Sequence, residues 1–214
     1  MKKFIRNLII LVLIYLAGNL AYLYSRPYLE QTFGTTDILP YLSSRIERVF
    51  NPNKFNQLNN DEPQEKGHTF QKNEATVYVD LKNPTLYNAA IDGLKSWNNT
   101  GAFTFKMVND KKNAQIVIKS MDRSDTDAAG LTNTEYNSLT GYLVHATVQL
   151  NSYYLLNPAY SYSNNRIVNT VEHELGHAIG LDHQSGISVM YPQGSFYTIQ
   201  PSDIENVKKI YHEK

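Results

Sequence analysis

The sequence predicts an α+β domain built on a mixed sheet with a crossover helix, carried behind an N-terminal hydrophobic segment. Three observations lead there. After residue 74 the periodic segments run strand, helix, strand, strand, an order that asks for parallel pairing bridged by a helix. A later helical segment stacks His173 over His177. An apolar run from Leu8 to Tyr24, broken only by Gly18 and Asn19, follows Lys2, Lys3 and Arg6.

The apolar run is at the lower limit for a membrane-spanning helix, about 17 residues, and is longer than most signal-peptide cores. Its basic flank is N-terminal, so residues 1–7 are expected in the cytoplasm, residues 8–24 in the membrane and the rest outside. Cleavage as a signal peptide is the rival reading. It is disfavoured because Ala17-Gly18-Asn19 and Asn19-Leu20-Ala21 each put Asn where a small residue is wanted. On either reading the body is exported. Residues 25–73 read as stalk and linker. Within them Asp37 to Phe50 has a helical stripe of Leu42, Ile46, Val49 and Phe50, with Asp37 as N-cap and Pro40 in the first turn. It is expected to lie near the membrane as part of the stalk. Residues 51–73, rich in Asn, Gln, Lys and Glu, read as a flexible linker.

The domain expected over residues 74–214 opens with the alternating strand Ala75 to Asp80. Asn83-Pro84 starts a helix that runs to about Asn99, with Leu86, Ala90, Leu94 and Trp97 inward and Gly101 as its stop. Phe103 to Val108 is a second strand. Ala114 to Lys119 is a third, and Ile116-Val117-Ile118 predicts burial on both faces. Tyr142 to Asn151 is a further strand and Asn165 to Ile179 a helix with Val168, Val171, Leu175 and Ala178 inward. Ser202 caps a last helix to about Tyr211.

Composition narrows the chemistry. Lys plus Arg and Asp plus Glu each total 20, so no net charge steers the molecule onto nucleic acid. The absence of cysteine excludes disulfides and thiolate metal sites, leaving His and carboxylates as ligands.

The segment His173-Glu174-Leu175-Gly176-His177-Ala178-Ile179-Gly180-Leu181-Asp182-His183 carries those ligands. On a helix His173 and His177 differ by about 40° and can reach one ion. A continuous helix would point His183 about 80° away and roughly 9 Å farther along the axis. The chain must therefore break before 183, and Gly180 can take the positive φ that a break requires. Three neutral imidazoles leave one of zinc's four positions open, the mark of a catalytic rather than a structural site. Glu174, about 100° round the helix from His173, is placed to act as general base towards a zinc-activated water. Chance occurrence of the fixed letters is roughly 10⁻⁵ per chain on composition.

Beyond His183 comes Ser188-Val189-Met190-Tyr191-Pro192. With the long histidine motif it resembles the zinc motif and Met-turn of the metzincins, and within them the matrixins, the matrix-metalloprotease family. The likeness extends from about Ala75 to Tyr211. It implies a zincin-like fold: a twisted five-stranded mixed sheet with three helices. It also implies one catalytic Zn2+ on His173, His177 and His183, Glu174 as base, Met190 in the Met-turn and a polypeptide substrate. By the same resemblance the strand bordering the cleft lies within Ala128 to Thr132. Ala129, Gly130 and Leu131 would then bind substrate main chain, and Tyr191 and Pro192 would wall the pocket beyond the scissile bond. The chain departs from the family in three ways: it has no propeptide cysteine, its spacing to Met190 is one residue short, and His145 stands alone where a structural zinc would need partners. Ca2+ in the Asp122-Asp125-Asp127 loop is a further expectation of the resemblance.

The expected protein is thus a monomeric zinc endopeptidase of extracellular polypeptides, held on the membrane or secreted after signal cleavage. A non-catalytic exported module with a structural zinc, and a zinc hydrolase of cell-wall crosslinks, are the alternatives. Glu174 speaks against the first, since a structural zinc has no use for it.

Overall fold

A computed structural model describes residues 2–50 and 68–212. Helix α1 (Lys2–Phe33) continues well past Tyr24, through Pro27, and its segment Ile9–Phe33 is long and apolar enough to cross a membrane. Gly34, at φ 66°, turns the chain. Helix α2 (Leu39–Phe50) follows, with Asp37 Oδ1 accepting the Leu39 N–H at 3.1 Å. Most of the expected linker, residues 51–67, lies outside the described residues. Its end does not behave as a linker: Thr69 and Phe70 are buried, and the Thr69 carbonyl accepts from Leu143 N at 2.9 Å.

The sheet begins with β1 (Glu74–Asp80). Helix α3 (Pro84–Thr100) is capped by Asn83, whose side chain accepts from Thr85 N and Leu86 N, and is closed by Gly101 at φ 69°. Then come β2 (Thr104–Met107), β3 (Ile116–Met121), β4 (Gly130–Tyr136) and β5 (Leu143–Asn151). Their order across the sheet is β2-β1-β3-β5-β4. All neighbours are parallel except β4, which runs antiparallel to β5 at the edge. This is the five-stranded mixed sheet expected from the resemblance. Ile116, Val117 and Ile118 of the central β3 are all buried, as a strand covered on both faces requires.

A short helix α4 (Ser152–Leu155), absent from the sequence reading, leads to α5 (Asn164–Ala178) and α6 (Pro201–His212). Helices α3 and α5 pack closely where Gly93 meets Val171, since a Cβ at Gly93 would lie 2.7 Å from Val171 Cγ1. Trp97, fully buried, bridges the same pair by donating Nε1–H to the Glu172 carbonyl at 2.9 Å. Both contacts hold α5 against α3 just before its first histidine.

Strand β4 differs most from expectation. It starts two residues later than Ala128 and runs on to Tyr136. Residues Asn133 to Tyr136 are polar and mostly exposed, so no apolar alternation marks them as strand; pairing with the long β5 extends the ladder.

Candidate active site

Ser163 caps α5 by accepting the Arg166 N–H at 3.3 Å. The buried side of this helix carries Val171, His173, Glu174, Leu175 and His177. It ends in a Schellman motif: Leu181 N donates to Gly176 O and Gly180 N to His177 O, both at 3.0 Å. Gly180 has φ 100°, and a Cβ there would run into the His68 carbonyl. Conformation and close approach both demand glycine. The reversal returns His183 to the other two histidines.

The three imidazoles converge, with one ligand atom from each lying within 4.8 Å of the others. His177 Nε2 is 3.0 Å from His173 Nε2 and 3.2 Å from His183 Nε2. Two backbone carbonyls orient the rings. His173 Nδ1 meets Val189 O at 2.7 Å and His177 Nδ1 meets Leu181 O at 2.9 Å. A carbonyl only accepts, so each Nδ1 carries the proton and each Nε2 presents a lone pair to the common centre. Lone pairs facing at this distance repel unless a cation lies between them. Tetrahedral zinc with bonds of about 2.0–2.1 Å would set ligand nitrogens roughly 3.3 Å apart, close to the spacing seen here. The donor set therefore fits zinc. Burial lowers the His173 pKa to about 4, against the opposing pull of the Val189 carbonyl, and lowers His177 well below its ordinary value. Both are neutral at pH 7, as ligands must be.

Glu174 is buried beneath β4. Thr132 Oγ1 donates to its Oε2 at 2.6 Å and to its backbone carbonyl at 3.0 Å. Gly130, two residues earlier on the same face of the strand, lies against the same side chain: a Cβ there would come within 2.5 Å of Oε1 and 2.6 Å of Cγ. The sequence reading places Thr132 only at the end of the cleft-bordering strand, with no role for its side chain. A threonine in an edge strand gives no local sign of facing a carboxylate 42 positions away in sequence.

Met190 is fully buried, and a Cβ at Gly176 would overlap its sulfur, so the Met-turn packs against the zinc-motif helix. Asp203, also fully buried, secures this turn. It accepts from Ser188 Oγ at 2.5 Å, Val189 N at 2.9 Å and Gln200 N at 2.8 Å. Because Val189 O orients His173, Asp203 reaches the histidine cluster through one residue. Its bond to Gln200 N makes Gln200 the N-cap of α6 and Asp203 its N3 partner, instead of the cap expected at Ser202. Glu172 is buried as well. Burial raises its carboxyl to about 7, and its Oε2 has no hydrogen-bond partner among the described residues.

The expected substrate residues divide. Ala129 O accepts from Asn151 N at 2.9 Å, which makes that pair a hydrogen-bonded rung of the β4–β5 ladder. Alternation directs the main chain of Leu131 to β5 as well and turns that of Gly130 and Thr132 away from it. Tyr191 closes the Met-turn by donating its N–H to Ser188 O at 3.1 Å, and its ring meets Tyr197 edge-on at 5.7 Å. Pro192 follows it, half-buried. In the acidic loop Arg123 grips both carboxylate oxygens of Asp125, at 2.9 and 2.7 Å, and the three histidines form the one convergent ligand group among the described residues. His145, on β5 opposite Glu135, has its Nε2 3.5 Å from Thr147 Oγ1.

A family model described as matrixin matches residues 64–212. Among solved structures, that titled "Structure of Myroilysin" matches at 14% identity over 68% of this chain and 83% of that one, with a TM-score of 0.48. No curated protein matches the chain.

Proposed function

The chain belongs to the matrixin family of zinc metalloproteases, and from that premise we propose that it is an endopeptidase held on the outer face of a membrane by α1, with Glu174 as its general base. The observation that carries the reading is the convergence of His173, His177 and His183 on one centre, where His173 and His177 present Nε2 lone pairs, beside a buried carboxylate one residue along from His173. A structural zinc would normally take a fourth protein ligand; among the described residues the convergent group is three histidines, and the neighbouring carboxylate is tied to the edge strand instead.

His173, His177 and His183 would hold the metal, which when bound supplies a polarised water and a Lewis acid for the scissile carbonyl. Glu174 takes the proton from the attacking water and can return it to the leaving amine. The Thr132 hydroxyl holds Oε2, so the carboxylate keeps one orientation through both transfers. The main chain of Gly130, turned away from β5, is where a strand of substrate would extend the sheet. Tyr191 and Pro192 line the wall beyond the bond that is cut. A substrate so held is an extended polypeptide, read mainly through its backbone.

Glu174→Gln tests the assignment. The variant should bind one zinc per chain and lose peptide cleavage by roughly 10²–10⁴-fold. Peptidase activity above a tenth of the unsubstituted protein's would remove Glu174 from the mechanism.

A further inference from the structure

Helix α2 presents two different faces. On one, Tyr41 enters an aromatic cluster with ring centroids 5.0 Å from Phe33, 5.6 Å from Phe196 and 5.8 Å from Tyr197. The Tyr197 hydroxyl donates to Tyr41 Oη at 3.1 Å, and Arg45 Nη1 reaches Tyr191 Oη at 3.5 Å. The end of α1 docks beside it. Thr198 N donates to the Thr32 carbonyl at 3.0 Å, Asn165 Nδ2 donates to the Gly34 carbonyl, and Thr32 is buried. The stalk is therefore part of the folded body, seated on the segment that follows the Met-turn.

The other face is apolar and bare. Leu39, Leu42, Ile46, Val49 and Phe50 are 72%, 42%, 58%, 75% and 76% exposed. At 100° per residue they fill an arc about 100° wide, whose middle lies roughly 110° from Tyr41 and Arg45. Such a stripe on a helix is unfavourable in water and needs a cover.

Chain continuity identifies the cover. The apolar span Ile9–Phe33 has 25 residues, about 38 Å of helix against a hydrocarbon core of about 30 Å. With Tyr22, Tyr24 and Tyr28 exposed around the Arg26–Glu30 ion pair, the outer interface falls near Arg26. Phe33 then stands about 10 Å above it, and α2 starts after residues 34–38. The bare stripe is thus within reach of the headgroup layer.

We propose that α2 lies in the outer leaflet interface with Leu42, Ile46, Val49 and Phe50 in the lipid, while Tyr41 and Arg45 grip the domain. The wall containing Tyr191 and Tyr197 is then held beside the bilayer, and the polypeptides cut are those presented close to the membrane surface. This rests on the membrane-anchored endopeptidase reading.

The chain has no cysteine, so single nitroxide labels can be placed on the full-length protein in phosphatidylcholine–phosphatidylglycerol vesicles. Leu13→Cys marks α1, Ile46→Cys and Val49→Cys the stripe, and Tyr87→Cys an exposed site on α3. The ratio of collisions with oxygen to collisions with a water-soluble nickel chelate should be at least about fivefold higher at 46 and 49 than at 87, as lipid burial requires. Leu13 should score higher still. Ratios at 46 and 49 equal to that at 87 overturn the proposal, as do labels immobilised and shielded from both reagents, which would mean a protein cover. A Leu13 label open to the nickel chelate overturns the anchor itself, a distinct failure.

Discussion

Replacing Gly130 by alanine adds one methyl group at the point where β4 crosses the carboxylate of Glu174, the proposed general base. Gly130 lies outside the left-handed region, so the backbone accepts alanine without conformational cost and the effect is steric. The new Cβ would sit 2.5 Å from Glu174 Oε1, 2.6 Å from Cγ and 2.8 Å from Cδ. Ordinary contacts are about 3.5 Å or longer, so Glu174 must withdraw by about 1 Å. It cannot do so and keep its 2.6 Å bond from Thr132. A misplacement of about 1 Å costs on the order of 10²-fold in rate, about 2.7 kcal/mol of barrier. The expected variant binds zinc stoichiometrically, melts within a few degrees of the unsubstituted protein and shows kcat lowered about 100-fold on an internally quenched peptide. A kcat within twofold of the original would refute the placement of Glu174 under Gly130.

Three further outcomes follow from single contacts. Thr132→Val keeps the side-chain shape and removes the hydroxyl, so kcat should fall about tenfold with zinc content unchanged; full activity would mean that Thr132 does not position the base. Asp203→Ala leaves buried donors at Val189 N and Gln200 N without their acceptor. It should cost about 3–5 kcal/mol of stability and weaken zinc retention in a chelator titration, because Val189 no longer orients His173 firmly; an unchanged urea midpoint would count against this. Glu172 concerns pH. Burial raises its folded-state pKa from 4.5 to about 7, so the folded state holds a proton that the unfolded chain has lost. Stability should fall as pH rises from about 4.5 to about 7 and stay low above. Glu172→Gln should therefore raise the melting temperature of metal-free protein at pH 8 and change it little at pH 5; equal shifts at both pH values would argue against a titrating Glu172.

Much of the site was written locally. His173 and His177 share a helix face because of helix geometry, and the need for a chain reversal before His183 follows from the same geometry. Gly180 supplies that reversal because it alone lacks the Cβ that positive φ and the nearby His68 carbonyl would reject. The Asn83 cap, the Gly101 stop and the doubly buried Ile116 to Ile118 run are equally local, set by side chain and backbone within a few residues. Tertiary structure alone decided what closes over and supports these elements. No local pattern shows that Thr132 and Gly130 lie over Glu174, that Asp203 secures Val189 behind His173, or that Tyr41 of the stalk seats on Phe196 and Tyr197. Each of these contacts joins residues far apart in the chain, and each partner has an ordinary local role that its sequence neighbourhood already explains: a strand threonine, a first-turn helix acid, an aromatic in an amphipathic helix. Local free energy selects secondary structure over a few residues, whereas these pairings arise only when the sheet order and the packing of α5 and α6 bring the partners together.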